Sequence, residues 1–165
     1  DCMSEQIRAD VVPTDHKYKR AGKITVNAPA SVIFDLLADP RNHTHFDGSG
    51  TLRGDVRGPE RLEMGSKFGM DMHMIANYRI KNTVVEFEDN RKIAWCHPGH
   101  HRWRYELVPI DENTTTVVET FDGSTARIPP ALKLMNAYEN NQKAILKTLV
   151  NLKKVAETQQ TNQEN

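Results

Sequence analysis

His45 and Asp47 are the two residues of this sequence whose types and spacing could move protons. They flank Phe46 at the start of a turn over residues 47–50. An imidazole titrates near neutral pH and a neighbouring carboxylate can hold it in one orientation, so the pair fits general acid–base catalysis. A surface histidine beside a turn aspartate gives the same pattern and is the commoner arrangement. The sequence therefore leaves open whether the protein is an enzyme.

The histidines also invite a metal interpretation. Two groups are closely spaced, His43-x-His45 and His97-x-x-His100-His101. A zinc site needs three or four converging ligands, and neither group has the spacing of a standard site. The sequence therefore predicts no metal and no cofactor. We expect the second group to lie at a solvent-exposed hairpin turn.

Large apolar residues alternate with polar ones in the segments 66–75 and 101–109, which assigns one face of each strand to the interior. Methionine adapts to irregular contents and aromatic rings offer flat area with a polar edge, so these faces suit an apolar or ring-containing ligand. A filled core gives the same pattern. The predicted ligand-binding residues are Phe68, Met70, Met72, Met74, Tyr78, Trp95, Trp103, Tyr105, Leu134, Met135 and Tyr138.

The charge balance argues against several classes of partner. Lys plus Arg and Asp plus Glu each total 22 in 165 residues, so no overall positive field attracts nucleic acid or anionic lipid. Basic and aromatic residues mix at 102–105, but strand alternation sends them to opposite faces. No apolar run approaches the ~18 residues of a membrane span, and residues 1–20 lack the apolar region of a signal peptide. We expect a cytoplasmic protein without a nucleic-acid partner.

The folded region is predicted to begin with a strand followed by two short helices. Residues 23–26 alternate and are rich in β-branched side chains. Pro29 suits the first turn of a helix whose apolar residues recur as far as Leu37, and Asp39-Pro40 stops it. A second short helix is predicted over 40–46.

Six strand-like segments follow, separated by short runs of turn-forming residues. Short connections favour antiparallel neighbours. Within 82–87 apolar side chains occupy both parities, so the sequence does not decide which of them face inward. The segments are 51–57, 66–75, 77–88, 91–96, 101–109 and 114–121.

The last predicted element is one long helix from Pro130 to about Glu157. At 1.5 Å per residue it would span ~40 Å, enough to cross a sheet of six or seven strands. Such a helix needs a broad concave partner. Its apolar stripe comprises Ala131, Leu134, Met135, Tyr138, Ile145, Leu149, Leu152 and Ala156.

These elements predict a single domain over 21–157. Residues 1–20 and 158–165 are polar or lack an apolar period, so we expect both to be disordered tails. Met3 fits a natural start of translation, and Asp1 and Cys2 therefore carry no weight in the functional interpretation.

Several stretches resemble, in their order and spacing, the polyketide cyclase/dehydratase and START-related lipid-transfer superfamily. They are KITVNAPASVIFDLLADP at 23–40, VVEF at 84–87 with RKIAW at 91–95, WRYELVP at 103–109 and TTTVVET at 114–120. The resemblance covers about 22–156. The sequence differs from many relatives at 43–46, where HTHF stands in place of a tryptophan-containing segment. This difference affects the expected shape of the pocket mouth.

The resemblance implies an α+β helix-grip fold, with a curved antiparallel sheet of six or seven strands wrapped around the long C-terminal helix and a cavity between them. Members of the superfamily bind hydrophobic ligands or act on them. They share no catalytic signature, so the resemblance assigns no active site to this chain.

Three function classes follow. The first is binding of a small hydrophobic molecule, such as a lipid, an isoprenoid or a polyketide-like aromatic, in the internal cavity. The second is a cyclase- or dehydratase-type enzyme in which a polar pocket residue acts as acid or base. The third is a regulatory protein-interaction module, for which we expect a collapsed cavity.

Overall fold

The computed structural model describes residues 7–73 and 76–164. Eight strands lie in these residues, and they form one antiparallel sheet in the order β1-β2-β8-β7-β6-β5-β4-β3. Strands β3 to β8 are neighbours in chain order, and short turns join all of them except β3 and β4, which a longer loop over 58–66 connects. The strands are β1 (Asp10–Val12), β2 (Lys19–Val26), β3 (Leu52–Arg57), β4 (Lys67–His73), β5 (Asn77–Glu88), β6 (Lys92–Cys96), β7 (Arg102–Asp111) and β8 (Thr114–Asp122).

Two short helices follow β2, as predicted. Pro29 is the N-cap of α1, where its extended backbone precedes the first helical turn, and Asp39 ends the helix. The Asp39 carboxylate accepts a hydrogen bond from the Arg41 amide at 3.1 Å and so caps a 3-10 turn that leads into the second helix. The described helices are α1 (Ala30–Ala38), α2 (His43–Phe46), α3 (Pro129–Leu134) and α4 (Ala137–Glu164).

The predicted C-terminal helix is interrupted at Asn136, so the prediction of one continuous helix from Pro130 was wrong at this point. Asn136 has a φ of 55°, in the left-handed region that asparagine tolerates better than most residues. The apolar spacing continues across the break, and two non-helical residues, Met135 and Asn136, leave no trace in it. The break resets the helical phase. Leu134 is consequently 91% exposed, whereas Leu132 packs against the core.

Helix α4 packs across β2 and β8 through the fully buried Ile145, Leu149, Leu152 and Ala156. Its approach is close at Gly22, where a Cβ atom would lie 2.8 Å from the Cγ2 atom of Ile145. The helix can therefore lie directly on β2 because this position has no side chain.

A β-bulge decides which residues of 82–87 face inward. The register of β5 against β6 shifts between Val84 and Glu86. Val84 is buried opposite Trp95, and beyond the bulge Phe87 lies opposite the buried Ile93 and packs on Phe34 in an edge-on contact. The extra residue changes the parity of the strand, so apolar side chains three positions apart share one face.

The structure differs from the predicted domain limits at both ends. β1 lies within residues 1–20 and pairs with β2, with Val11 opposite Gly22. A strand of three residues is too short to give a periodic signal. At the other end α4 continues beyond 157, and the Thr161 hydroxyl donates to the Glu157 carbonyl at 3.0 Å.

The predicted α+β helix-grip class is confirmed. The curved antiparallel sheet, the two early helices and the long C-terminal helix are all present, and β1 is the strand beyond the six or seven expected. No helix in the described part of the chain is both long enough and apolar enough to cross a bilayer.

Two leucine-to-alanine changes test this packing. Leu149→Ala removes a fully buried side chain between α4 and the sheet, and we expect it to lower the free energy of unfolding by about 2–5 kcal/mol. The matched change Leu134→Ala, at the exposed end of α3, should stay within about 0.5 kcal/mol of the wild type. Urea unfolding followed by far-UV circular dichroism measures both. Equal losses would show that α3 and α4 pack as one continuous helix.

Candidate functional site: a cavity between the sheet and the C-terminal helix

A cavity of about 680 Å³ lies between the concave face of the sheet and α4. Strands β3 to β8 form one wall, and α2, α3 and the first half of α4 form the other. The deep end is formed by Trp95 and Tyr105, which are 5% and 3% exposed. Tyr78 and Met135 are 40% and 66% exposed and mark the mouth. The cavity therefore runs from solvent into the interior of the domain.

Most of the predicted ligand-binding residues line this cavity. The inward parity of β4 and β7 places them there, since alternate residues of a strand share one face. They come from four strands and from the turn between α3 and α4, which only the fold brings together. The lining members of the predicted set are Met70, Met72, Tyr78, Trp95, Trp103, Tyr105 and Met135.

Three predicted residues lie elsewhere. Phe68 is buried behind the cavity wall, edge-on to Trp95 at 5.5 Å between ring centroids. Leu134 points to solvent because of the break at Asn136. Tyr138 stacks on Tyr18, and its hydroxyl donates to the Pro129 carbonyl at 3.0 Å, which connects α4 to the first residue of α3. Met74 lies outside the described residues.

A buried histidine supports the aromatic wall. His43 stacks on Trp95 at 4.9 Å between centroids, and its Nε2 lies 2.9 Å from the Leu37 carbonyl. Burial lowers the pKa of His43 to about 4, although the Leu37 hydrogen bond and Asp39 act in the opposite direction. The ring is therefore neutral at pH 7 and donates its N–H to that carbonyl.

His97 and His101 also line the cavity, contrary to the expected exposed turn. Their rings stack at 4.6 Å, and the His97 amide donates to the His101 carbonyl at 3.0 Å across the turn. Burial lowers the pKa of His97 to about 3, with a further contribution from His101, and lowers that of His101 to about 4. Of the three histidines here, only His100 is exposed. The turn bends over the cavity, which strand alternation does not reveal.

The proposed acid–base pair is divided by the structure. His45 is exposed and does not line the cavity, whereas Asp47 is partly buried and does. The Ser49 hydroxyl donates to Asp47 Oδ2 at 2.7 Å. Burial raises the pKa of Asp47 more than this hydrogen bond and the nearby backbone amides lower it. Asp47 therefore keeps its place as a candidate acid or base without a histidine partner.

Glu119 is a buried acidic residue of the cavity that the sequence interpretation missed. It is 3% exposed and lies directly opposite Tyr105 in the β7–β8 ladder. Burial raises the pKa of Glu119 well above its usual range; Asp47 adds to this rise, and a hydrogen bond from the Tyr105 hydroxyl opposes it. Parity could have revealed this residue, since Glu119 alternates in phase with the apolar Val117 and Phe121.

Metal ligation finds no support in the geometry of these side chains. Across residues 7–73 and 76–164, no three His, Cys, Asp or Glu side chains converge on one point. The pair His43 and His45 separates into one buried and one exposed side chain.

The fold and its cavity define a helix-grip protein, and comparison with known families agrees. Residues 19–157 match the family described as polyketide cyclase/dehydrase and lipid transport. The match spans most of the chain, which therefore belongs to this family. The superfamily resemblance found in the sequence is confirmed.

One curated relative and two solved structures are similar to this chain. The uncharacterized protein Rv0088 of Mycobacterium tuberculosis is 43% identical over 100 residues, which cover 60% of this chain and 45% of that protein. The chain thus spans less than half the length of this curated relative. The crystal structure of protein NE0264 from Nitrosomonas europaea has a TM-score of 0.67 at 14% identity, over 90% of this chain and 99% of that one. The Zhui aromatase/cyclase from Streptomyces sp. R1128 has a TM-score of 0.61 at 18% identity, over 84% and 93%. At these identities the solved structures show the shared fold alone.

The buried His43 makes stability depend on pH. Its pKa lies below that of a histidine in the unfolded chain, so the unfolded state binds more protons between about pH 6.5 and about pH 4, and stability falls as pH falls through this range. We expect His43→Gln to reduce the slope of unfolding free energy against pH by up to about 1.4 kcal/mol per pH unit. Urea unfolding at several pH values measures the slope. At about pH 8 His43 is unprotonated in both the folded and the unfolded state. The difference in unfolding free energy between variant and wild type at that pH therefore gives the packing cost alone. An unchanged slope would contradict the neutral, buried state of His43.

Proposed function

We propose that this protein binds a small, largely apolar molecule in the cavity between the sheet and α4. The observation that carries the proposal is the cavity itself. Its volume of about 680 Å³ falls in the range of about 300–1,000 Å³ typical of small-molecule sites. A filled core, which the same sequence pattern allowed, would leave no such space.

The chemistry of the walls supports an apolar guest. Methionine side chains of β4 and aromatic rings of β6 and β7 line the sheet wall of the cavity. The three histidines that line it are neutral at pH 7 because burial lowers their pKa values. Lys143 and Lys147 line it only from the exposed side of α4. An apolar molecule that enters gains hydrophobic burial, while an ion would lose its hydration without a partner of opposite charge at the deep end.

Catalysis is the second candidate, and Asp47 is the observation that favours it. The carboxyl group lines the cavity and is held by Ser49, and burial raises its pKa towards the range in which an acid or base works. The third class, a protein-interaction module, was expected to have a collapsed cavity, and the open cavity gives it no support.

Filling the cavity tests the binding proposal. Met72 lies on the cavity wall opposite Leu52 and Tyr78 in the neighbouring strands. We expect Met72→Trp to occupy the space and to weaken binding of the neutral probe N-phenyl-1-naphthylamine by at least about tenfold, with little change in melting temperature. Probe fluorescence measures binding, and native mass spectrometry of protein purified from cell extract measures retained ligand.

The exposed Met64 provides the matched control. It is 59% exposed and does not line the cavity. Met64→Trp adds the same side chain at the surface and should bind the probe as the wild type does. If Met72→Trp also binds the probe normally, the cavity is not the binding site.

Asp47→Asn separates binding from catalysis. The amide keeps the size of the side chain but cannot act as an acid or base. If the protein transforms its ligand, the molecule released from the variant should be the unreacted one, and the molecule released from the wild type should differ from it in mass or, for an isomer, in chromatographic retention. His45→Asn, at the exposed neighbour, is the control. The same ligand mass and the same chromatographic retention on the wild type and on Asp47→Asn would rule out catalysis by this carboxyl group.

A further inference from the structure

The deep end of the cavity contains a carboxyl group without a charged partner. Among the described residues Glu119 forms no salt bridge, and its Oε1 atom has no hydrogen-bond partner. The residue is 3% exposed and lines the cavity. A buried polar atom without a partner is costly, so a site of this kind is typical of a group that a ligand satisfies.

The surroundings of Glu119 favour its neutral form. Its cross-strand neighbours are Tyr105 of β7 and Gly22 of β2. The nearby negative charge is Asp47, which together with burial raises the pKa of Glu119. The other titratable groups that line the cavity are His43 of α2, Tyr78 of β5, His97 and His101 of the β6–β7 turn, and Lys143 and Lys147 of α4.

None of these groups compensates a negative charge at the deep end. The histidines are neutral at pH 7, and the two lysines are exposed. Tyr105 donates to the carboxyl group, and its own pKa is raised well above its usual range by burial and by Glu119. A neutral carboxyl group that accepts from Tyr105 has one O–H left to donate.

We propose that the Glu119 carboxyl group is the polar anchor of the cavity and that its ligand is an otherwise apolar molecule with a carbonyl oxygen. The carbonyl accepts the free O–H of Glu119, while the apolar remainder of the ligand lies against Trp95, Trp103 and Met72. This inference rests on the proposed binding function. It adds the class of ligand, because a purely hydrocarbon molecule would leave the carboxyl group unsatisfied.

A matched pair of probes tests the anchor. 9-Fluorenone and fluorene share their ring framework, and only the first has a carbonyl oxygen. Displacement of N-phenyl-1-naphthylamine from the full chain measures the affinity of each. We expect the wild type to bind fluorenone about tenfold more tightly than fluorene, which is the effect of one hydrogen bond. Glu119→Leu should abolish this preference, while Glu119→Gln, whose amide still donates, should keep part of it.

The pH dependence separates the anchor from a merely structural role. As pH rises through the pKa of Glu119 the carboxyl group loses its donor, so the wild-type preference for fluorenone should disappear. Glu119→Gln cannot lose a proton at this position, and its preference should stay constant over the same range. Far-UV circular dichroism establishes at each pH that both proteins are folded.

Two results would overturn the inference, and they differ in what they say about the cavity. If both probes bind the wild type equally, or if the preference survives Glu119→Leu, the cavity binds apolar molecules but Glu119 is not the anchor. If the folded wild type binds neither probe nor N-phenyl-1-naphthylamine, the proposed binding function fails and the inference fails with it.

Discussion

The close contact between α4 and strand β2 is the constraint on which the rest of this structure depends. Gly22 lets Ile145 reach the backbone of the sheet, and the buried stripe of α4 continues from there across β2 and β8. A straight helix fixed to one side of a curved sheet diverges from the strands that curve away on the other side. The space that remains between α4 and strands β4 to β7 is the cavity. The site is therefore a consequence of how the two layers pack, and no single loop creates it.

Burial around the cavity shifts the pKa values of acids and bases in opposite directions. Burial lowers the pKa values of His43, His97 and His101 and raises those of Asp47 and Glu119. Each shift favours the uncharged form. The three buried histidines are therefore neutral at pH 7, and the shift of Glu119 favours its neutral form, which suits a neutral guest. The histidines, whose pKa values are lowered, make the fold less stable as pH falls. Asp47 and Glu119, whose pKa values are raised, make it less stable as pH rises.

The comparisons distinguish the residues that form the fold from the residues that line the cavity. Solved structures with identities of 14% and 18% share the helix-grip fold over most of this chain. A scaffold that requires only alternating strands, one amphipathic helix and a few close contacts can be built from many sequences. The contents of the cavity depend on individual side chains such as Glu119 and Trp95. Family membership therefore establishes the architecture, and the ligand has to be argued from the lining residues.

Local patterns in the sequence determined the class of fold and part of the cavity wall. Alternation in β4 and β7 identified the inward positions of Met70, Met72, Trp103 and Tyr105, because the parity of a regular strand is a property of neighbouring residues. The same parity would have identified Glu119, but a glutamate in a strand is ordinarily assigned to the solvent face.

Only the tertiary structure decided the rest. The bulge at Val84–Glu86 and the left-handed Asn136 each change the phase of an element at one residue, and a periodic pattern averages over such a change. Leu134 was misplaced for this reason. His97 and His101 line the cavity because their turn packs against the segment before α3, where Thr125 donates to the His100 carbonyl. The contribution of Asp47 to the Glu119 environment joins residues 72 positions apart. Those relations depend on distances between elements, which the spacing of residues along the chain does not contain.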